Sequence, residues 1–165
     1  MGPVRFLAAV AAAGVASLMG VSGALADTVV VVTPTNTQGW STVDTRPGGA
    51  VNFVPDPSSP YPSGALQLTT DATTTAKAQY LHAAKTPLAQ VTEASYSTRQ
   101  VSAPFPGADP SYQVVTCLNG ISAAGACLGF TTLVYKPYQD VQGAVIPDAW
   151  QKGNRLSGRH WSTRT

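Results

Sequence analysis

Hydrophobic and polar residues alternate in short segments throughout residues 28–150, and turn-forming residues separate these segments. Alternation with a period of two predicts β-strands that bury one face and expose the other. We predict strands, in chain order, at 28–33, 40–45, 50–54, 65–70, 76–82, 90–102, 111–118, 127–135 and 144–150. The Pro-rich stretch 55–64 and the segment 103–110 are predicted to be loops, because proline cannot donate to a sheet ladder.

One window, 69–84, has a composition that is compatible with a helix. Its three consecutive threonines, 73–75, favour extended backbone because β-branched side chains are restricted in helices. We therefore predict a turn and then a strand in this window. Many short strands divided by turns predict an all-β protein, specifically an antiparallel β-sandwich or jelly roll.

The N-terminal residues 1–26 are predicted to be a signal peptide, helical before removal. Arg5 is followed by an apolar run and by the sequence Ala-Leu-Ala at 24–26. This order predicts export and cleavage between Ala26 and Asp27. An uncleaved anchor helix is the alternative, since the run is nearly long enough to span a bilayer. No later segment is apolar over such a length, so we expect a secreted, extracytoplasmic protein without a transmembrane segment after processing.

Cys117 and Cys127 are the two cysteines of the chain. They could form a disulfide, bind a metal or supply a catalytic thiol. A metal would need further ligands, and the two histidines, His82 and His160, are distant in sequence. An even pair of thiols in an exported protein is usually oxidised. We therefore predict a disulfide, no metal site and no cofactor.

A disulfide across the predicted hairpin would also determine which faces of its strands are buried. Both cysteines must lie on one face. The face opposite the two cysteines is the more apolar one, and we predict that it forms the core. The predicted core residues are Val114, Leu118, Leu128, Phe130 and Val134.

Composition and charge indicate how the chain is divided into domains. Only 11% of the residues are charged, which is low for a globular protein. Residues 27–151 have a length typical of one domain, and all eight acidic residues lie in this range. Residues 152–165 carry four basic residues and no acid, and we predict a poorly packed tail there. Nucleic acid is not an expected partner, because the domain itself has no basic face.

Enzymatic chemistry has little support in the sequence. Glycoside hydrolases generally need two carboxylates, and Glu93 is the single glutamate. The motif G-x-S-x-x-G at 120–125 lies in the predicted hairpin loop and lacks the spacing of a nucleophile elbow. We therefore assign no catalytic residue.

Binding of a glycan or of another cell-envelope polymer is the more consistent expectation. Exposed aromatic rings could stack on sugars, but a buried Trp or Tyr in a sandwich is more often a core residue, and we expect Trp40 to be one. The candidate ligand contacts are Tyr61 in the Pro-rich loop, Glu93 and Arg99 on one predicted strand face, and Tyr135 on the disulfide face.

Several segments together resemble a known group of sequences: VTPTNTQGWSTVDTRPGGAVNFV, SGALQLTTDATTTAKAQYLH, PSYQVVTCLNG, GFTTLVY and HWSTRT. They resemble uncharacterised exported bacterial proteins that are similar to concanavalin-like jelly-roll sandwiches. The resemblance implies the fold and the exported location, and it carries no active-site residues. Such proteins continue beyond the W-S-T-R-T segment, so this chain looks shortened at its C-terminus, with an incomplete sandwich that a strand-supplying partner chain could complete.

Two further functional hypotheses stay open at this point. The first is a hydrolase or lyase that acts on polysaccharides, for which a second carboxylate near Glu93 is required. The second is a truncated chain without independent function. The leading hypothesis is an exported, non-catalytic glycan-binding protein.

Overall fold

A computed structural model describes residues 4–7, 29–61, 64–139, 144–154, 156 and 158–163, with the backbone alone at 4–7 and 154. Its contacts divide the chain into two compact units, Met1–Thr86 and Pro87–Thr165. The boundary lies inside the range 27–151 for which the sequence predicts one domain. Each unit is described by itself below.

The described part of the first unit contains two antiparallel strand pairs. Strand β1 (Val4–Leu7) pairs with β2 (Val29–Val32), and β3 (Gly49–Val54) pairs with β4 (Ala65–Thr70). Val32 and Ala65 are buried. These pairings confirm three of the predicted strands: 28–33, 50–54 and 65–70. Alternating and β-branched residues of this kind favour extended backbone in a partly buried sheet.

The part of the predicted leader that the structure describes differs from the expected helix. Val4–Leu7 is a strand whose register places Val4 opposite Val32. Its sequence, Val-Arg-Phe-Leu, contains β-forming residues and no alanine, in contrast to the Ala-rich run that follows it. The predicted cleavage residues, Ala26 and Asp27, lie outside the described residues.

The predicted strands 40–45 and 76–82 are reduced to isolated bridges. Ser41 pairs with Leu81, and Arg46 pairs with Lys77, both antiparallel. Between these bridges Asp44 has φ +62°, a left-handed conformation that interrupts an extended strand. The two segments therefore run side by side, but the ladder is not continuous.

Among its described residues, the second unit contains five strands and two short 3₁₀ turns, at Leu88–Gln90 and Pro137–Gln139. The strands are β5 (Ser95–Thr98), β6 (Tyr112–Cys117), β7 (Phe130–Tyr135), β8 (Gln151–Asn154) and β9 (His160–Ser162). Strand β5 pairs with β8, and the order β6-β7-β9 forms a three-stranded sheet, all antiparallel.

Buried polar residues fasten the loop 103–110 to the end of β5. The Thr98 hydroxyl donates to the Asp109 carboxylate at 2.6 Å. The Gln100 amide donates to the carbonyls of Pro106, at 3.1 Å, and Ala108. Both Thr98 and Gln100 are buried, so these hydrogen bonds satisfy groups that would otherwise be costly to bury.

Two strand predictions for the second unit require correction. The long alternating run 90–102 forms a strand only at Ser95–Thr98, and 144–150 is not a strand in the structure. The basic segment 152–165 contributes β9 and most of β8, and both strands are paired. Its poor packing stays a prediction, since backbone hydrogen bonds pair strands independently of side-chain burial.

The predicted burial of the β6–β7 hairpin is also wrong, and the reason is its register. Cys117 lies opposite Phe130, three residues beyond Cys127. Because an odd shift moves every side chain of a strand to the other face, the predicted partition of β7 is inverted. Thr131 and Tyr135, expected on the less buried face, are buried, whereas Leu118, Leu128 and Phe130 of the predicted core are exposed.

The predicted disulfide itself is confirmed. Cys117 and Cys127 are bonded, with their Cα atoms 5.2 Å apart. Cys127 lies in the hairpin tip and bridges to Ile121. Gly129, at φ +68°, lies between this tip and β7 and interrupts the regular ladder.

These pairings show an all-β protein made of small antiparallel sheets, with no α-helix among the described residues. Within the same residues, no helix has the length and apolar character that crossing a membrane requires. The assignment to a sandwich or jelly roll remains a prediction.

Candidate functional site

Four aromatic rings gather in the first unit and form an aromatic cluster, defined here as Trp40, Phe53, Tyr80 and His82. The Trp40 and Tyr80 rings are stacked, with centroids 5.4 Å apart and planes inclined by 12°. His82 lies 5.2 Å from the Trp40 ring at 37°, and Phe53 meets Tyr80 edge to face at 6.0 Å. Offset and edge-to-face contacts of this kind are favourable beyond the apolar area that they bury.

The bridge between Ser41 and Leu81 positions this cluster. Each backbone N–H donates to the other residue's carbonyl at 2.8 Å. Residues one step from a paired position point to the opposite face of the strands. Trp40, Tyr80 and His82 consequently project together from two segments that are about 40 residues apart in sequence.

A tight turn leads the chain into Trp40. Gln38 and Gly39 have φ values of +52° and +82°, and the Trp40 N–H donates to the Thr37 carbonyl at 2.9 Å. A β-carbon at Gly39 would lie 3.4 Å from Nε2 of His82. The turn therefore passes directly beside the imidazole, and glycine at position 39 provides the required backbone conformation.

Hydrogen bonds beyond the rings hold the two segments together. The Gln79 side-chain amide donates to the Val43 carbonyl at 2.7 Å. The Thr45 hydroxyl donates to the Gln79 carbonyl at 3.2 Å and accepts from the Gln79 N–H at 3.3 Å. These contacts connect the segment that carries Tyr80 to the segment that carries Trp40. They stabilise the backbone positions that bring the two rings into contact.

The members of the cluster differ in their exposure to solvent. His82 is exposed, and Trp40, Phe53 and Tyr80 are partly buried. The Tyr80 hydroxyl, by contrast, is buried and has no hydrogen-bond partner among the described residues. Its burial raises the pKa of Tyr80 above the usual value of a phenol. The cluster therefore combines an exposed imidazole with a partly exposed indole.

The four residues predicted from the sequence to contact a ligand are placed differently from one another. Tyr61 lies in the first unit, half-buried, and its N–H donates to the Ser59 hydroxyl at 3.2 Å. Tyr135, in the second unit, is fully buried at 0% exposure, with its ring 5.8 Å from His160. The structure therefore does not place the Tyr135 ring at the surface.

Glu93 precedes β5 in the sequence, and Arg99 follows it directly. Glu93 is exposed and accepts a hydrogen bond from the Ser95 hydroxyl at 3.0 Å. The Arg99 guanidinium lies 5.7 Å from the ring centroid of Trp150. The pairing of Thr98 with Gln151 brings Arg99 and Trp150 together, and their contact is a cation–π interaction.

The sequence contained part of the signal for the aromatic cluster. Tyr80 and His82 have the same parity in the alternating run 76–82, so a shared face could be predicted. The pairing of this run with Trp40 could not, because cross-strand partners depend on the tertiary register. His82 was not predicted as a contact residue, and its proximity to Trp40 is the new observation.

Comparison with known protein families, curated proteins and solved structures gave no match for this chain. Among the described residues, no three His, Cys, Asp or Glu side chains are close enough to hold a metal ion. The chemistry of the site therefore follows from the geometry of the rings. A partly exposed, stacked indole beside an imidazole can bind a flat, weakly polar ligand face and form hydrogen bonds at its edge.

Proposed function

We propose that this chain is an exported, non-catalytic, β-rich protein that binds a glycan through the aromatic cluster. The observation that carries the proposal is the parallel stack of Trp40 on Tyr80, with the exposed His82 beside it. The disulfide between Cys117 and Cys127 supports the exported location, since such bonds persist in oxidising compartments.

A pyranose ring presents C–H groups on one face and hydroxyls around its rim. The C–H groups are attracted to the negative face of an aromatic ring, and an indole offers the largest such face in proteins. Tyr80 stacks on the indole, which limits the side-chain entropy that Trp40 would lose when it binds a ligand. The imidazole of His82 can donate or accept a hydrogen bond at the hydroxyl rim.

The buried Tyr80 hydroxyl supplies a useful control. Because this hydroxyl is not accessible to solvent, Tyr80 contributes its ring to the stack and no direct polar contact to a ligand. Tyr80→Phe keeps the ring and should keep binding. Trp40→Ala removes the stacking face and should abolish it, whereas Trp161→Ala removes an exposed tryptophan of the second unit and should leave it intact.

The test is a glycan-array screen of the processed protein, purified from the medium of a secreting host. N-terminal sequencing of the same material should give Asp27 as the first residue. Affinity for any glycan that binds is then measured for the wild type and the three variants by titration calorimetry. Equal binding by wild type and Trp40→Ala, with both proteins folded, would contradict the proposed site.

A further inference from the structure

The tip of the β6–β7 hairpin exposes large apolar side chains. We define the apolar tip as Leu118, Ile121, Leu128 and Phe130, whose exposed fractions are 57%, 58%, 44% and 58%. All four lie at or beyond the Cys117–Phe130 pair, at the end of the hairpin that the disulfide closes. A cluster of exposed apolar side chains on a short segment marks an interaction surface more often than isolated ones do.

The same hairpin carries no charge. From Ser111 to Tyr135 there is no Asp, Glu, Lys, Arg or His. The nearest charged residues in sequence, Asp109 and Lys136, adjoin the Tyr112–Tyr135 pair at the other end of the hairpin. Strands of this length separate the two ends by about 17 Å. The charges that flank the hairpin in sequence therefore lie at its base.

Most backbone N–H groups of residues 118–129, the end of the hairpin, donate hydrogen bonds within the hairpin. The N–H groups of seven tip residues donate within the hairpin: Leu118, Asn119, Gly120, Ser122, Gly125, Ala126 and Leu128. Gly120 and Gly125, at φ +78° and +81°, provide the left-handed conformations that this compact arrangement requires. Internal pairing matters for an apolar medium, where an unsatisfied backbone group is strongly disfavoured.

We propose that the apolar tip docks on a lipid surface, with its four large side chains among the acyl chains and the charged base in water. Peripheral insertion of this kind reaches about 5–10 Å into the boundary between headgroups and acyl chains, which is less than the length of the hairpin. A protein partner is less favoured by these observations, because protein interfaces usually surround an apolar centre with a polar or charged rim. The disulfide keeps the tip compact, so little conformational entropy is lost on docking.

This activity is separate from the proposed glycan site. The apolar tip belongs to the second unit and the aromatic cluster to the first, so each can be disabled without changing the residues of the other. Trp40→Ala should leave lipid docking unchanged, and substitutions in the tip should leave glycan binding unchanged. Failure of one proposal is thereby distinguishable from failure of the other.

The experiment is co-flotation of the full processed protein with vesicles of pure phosphatidylcholine. We expect the wild type to float with the vesicles, and Ile121→Asp or Leu118→Asp to lower the partition coefficient at least tenfold, because a charge near the acyl region is strongly disfavoured. Val101→Asp is the matched control, since Val101 is 62% exposed in the second unit outside the hairpin. It should partition like the wild type. Circular dichroism and the mass of the oxidised form verify that each variant is folded.

Three outcomes would overturn the proposal. The first is absence of wild-type flotation on neutral vesicles. The second is flotation only on vesicles containing phosphatidylserine and only at low salt, which would indicate electrostatic attraction by the basic segment 152–165. The third is a wild-type dimer in light scattering that Ile121→Asp converts to a monomer, together with no vesicle binding, which would assign the tip to a second copy of the chain.

Discussion

Trp40 and Tyr80 stack with their ring planes only 12° apart. The contact joins two segments whose backbone pairing is limited to isolated bridges at Ser41–Leu81 and Arg46–Lys77. Side-chain stacking therefore supplies part of the cohesion that a continuous ladder would otherwise provide.

The stack should be measurable as a coupling free energy. We expect Trp40→Ala and Tyr80→Ala to interact by about 0.5–1.5 kcal/mol in a double-mutant cycle, the range found for aromatic pairs. Urea unfolding of the wild type, both single variants and the double variant measures it. Additive losses, with a coupling below about 0.3 kcal/mol, would show that the rings are close without stabilising each other.

The Tyr80 hydroxyl should reduce stability. It is buried and has no partner among the described residues, and a buried unsatisfied donor costs about 1–3 kcal/mol. Tyr80→Phe removes the hydroxyl and keeps the ring. We therefore expect its free energy of unfolding to rise by about 1 kcal/mol, measured by urea denaturation at neutral pH. A lower value for the variant would mean that the hydroxyl forms a stabilising hydrogen bond in solution.

The strands with local signals were predictable from the sequence, and their pairing was not. The valine run at β2 and the alternation in β3, β4 and β6 predicted those strands to within one residue of their observed bounds, and the start of β7 was predicted three residues too early. Strands β8 and β9 were missed, because Gln151–Asn154 and His160–Ser162 contain few residues with strong β-preference and owe their conformation to β5 and β7.

The failure at the hairpin has a specific physical cause. Placing Cys117 and Cys127 on one strand face assumes that both belong to the regular ladder, but the structure places Cys127 in the tip and Phe130 opposite Cys117. Loop length and turn conformation determine such a register, and the left-handed Gly129 cannot be recognised from an isolated Gly in a strand-like sequence. The tertiary register also limited the prediction of the aromatic cluster: the shared face of Tyr80 and His82 was predictable, and their proximity to Trp40 was not.

High pH should destabilise the second unit through Tyr112. Burial raises the pKa of this phenol above its ordinary value near 10. Below pH 10 both folded and unfolded states keep the proton, and stability is unaffected. Above it the unfolded state releases its proton first, so the free energy of unfolding falls until the folded-state pKa is reached. Denaturation between about pH 8 and pH 11 should show this fall, and Tyr112→Phe should reduce its slope. An identical slope in the variant would assign the effect to other groups.

Gly49 should tolerate no side chain. A β-carbon at this position would overlap the carbonyl group of Lys77, which also accepts a hydrogen bond from the Arg46 N–H at 2.9 Å. Relief requires the backbone of the 46–77 bridge to shift, so we expect Gly49→Ala to lower the free energy of unfolding by about 1–3 kcal/mol. Thermal denaturation followed by circular dichroism would detect a change of this size.

Ala50→Gly provides the matched control for this position. Ala50 follows Gly49 on the same strand and is exposed, and the substitution removes a methyl group instead of adding one. Its expected loss, about 0.5–1 kcal/mol, comes from backbone entropy alone. Equal losses for the two variants would contradict a steric role for Gly49.

Removal of the disulfide should destabilise the β6–β7 hairpin without abolishing its strands. The bond closes a loop with a sequence separation of 10 residues, and the chain-entropy model gives a stabilisation of about 2.5–3 kcal/mol for a loop of this size. The loss in Cys117→Ser/Cys127→Ser should appear as a lower urea midpoint.

The six ladder pairs from Tyr112–Tyr135 to Cys117–Phe130 do not depend on the bond, so amide protons of Val114 and Leu133 should remain protected in hydrogen exchange under native conditions. Protection should fall first at Leu118, Asn119 and Leu128, whose hydrogen bonds belong to the tip. If the ladder and the tip lose protection together, the disulfide holds the whole hairpin and not only its closed end.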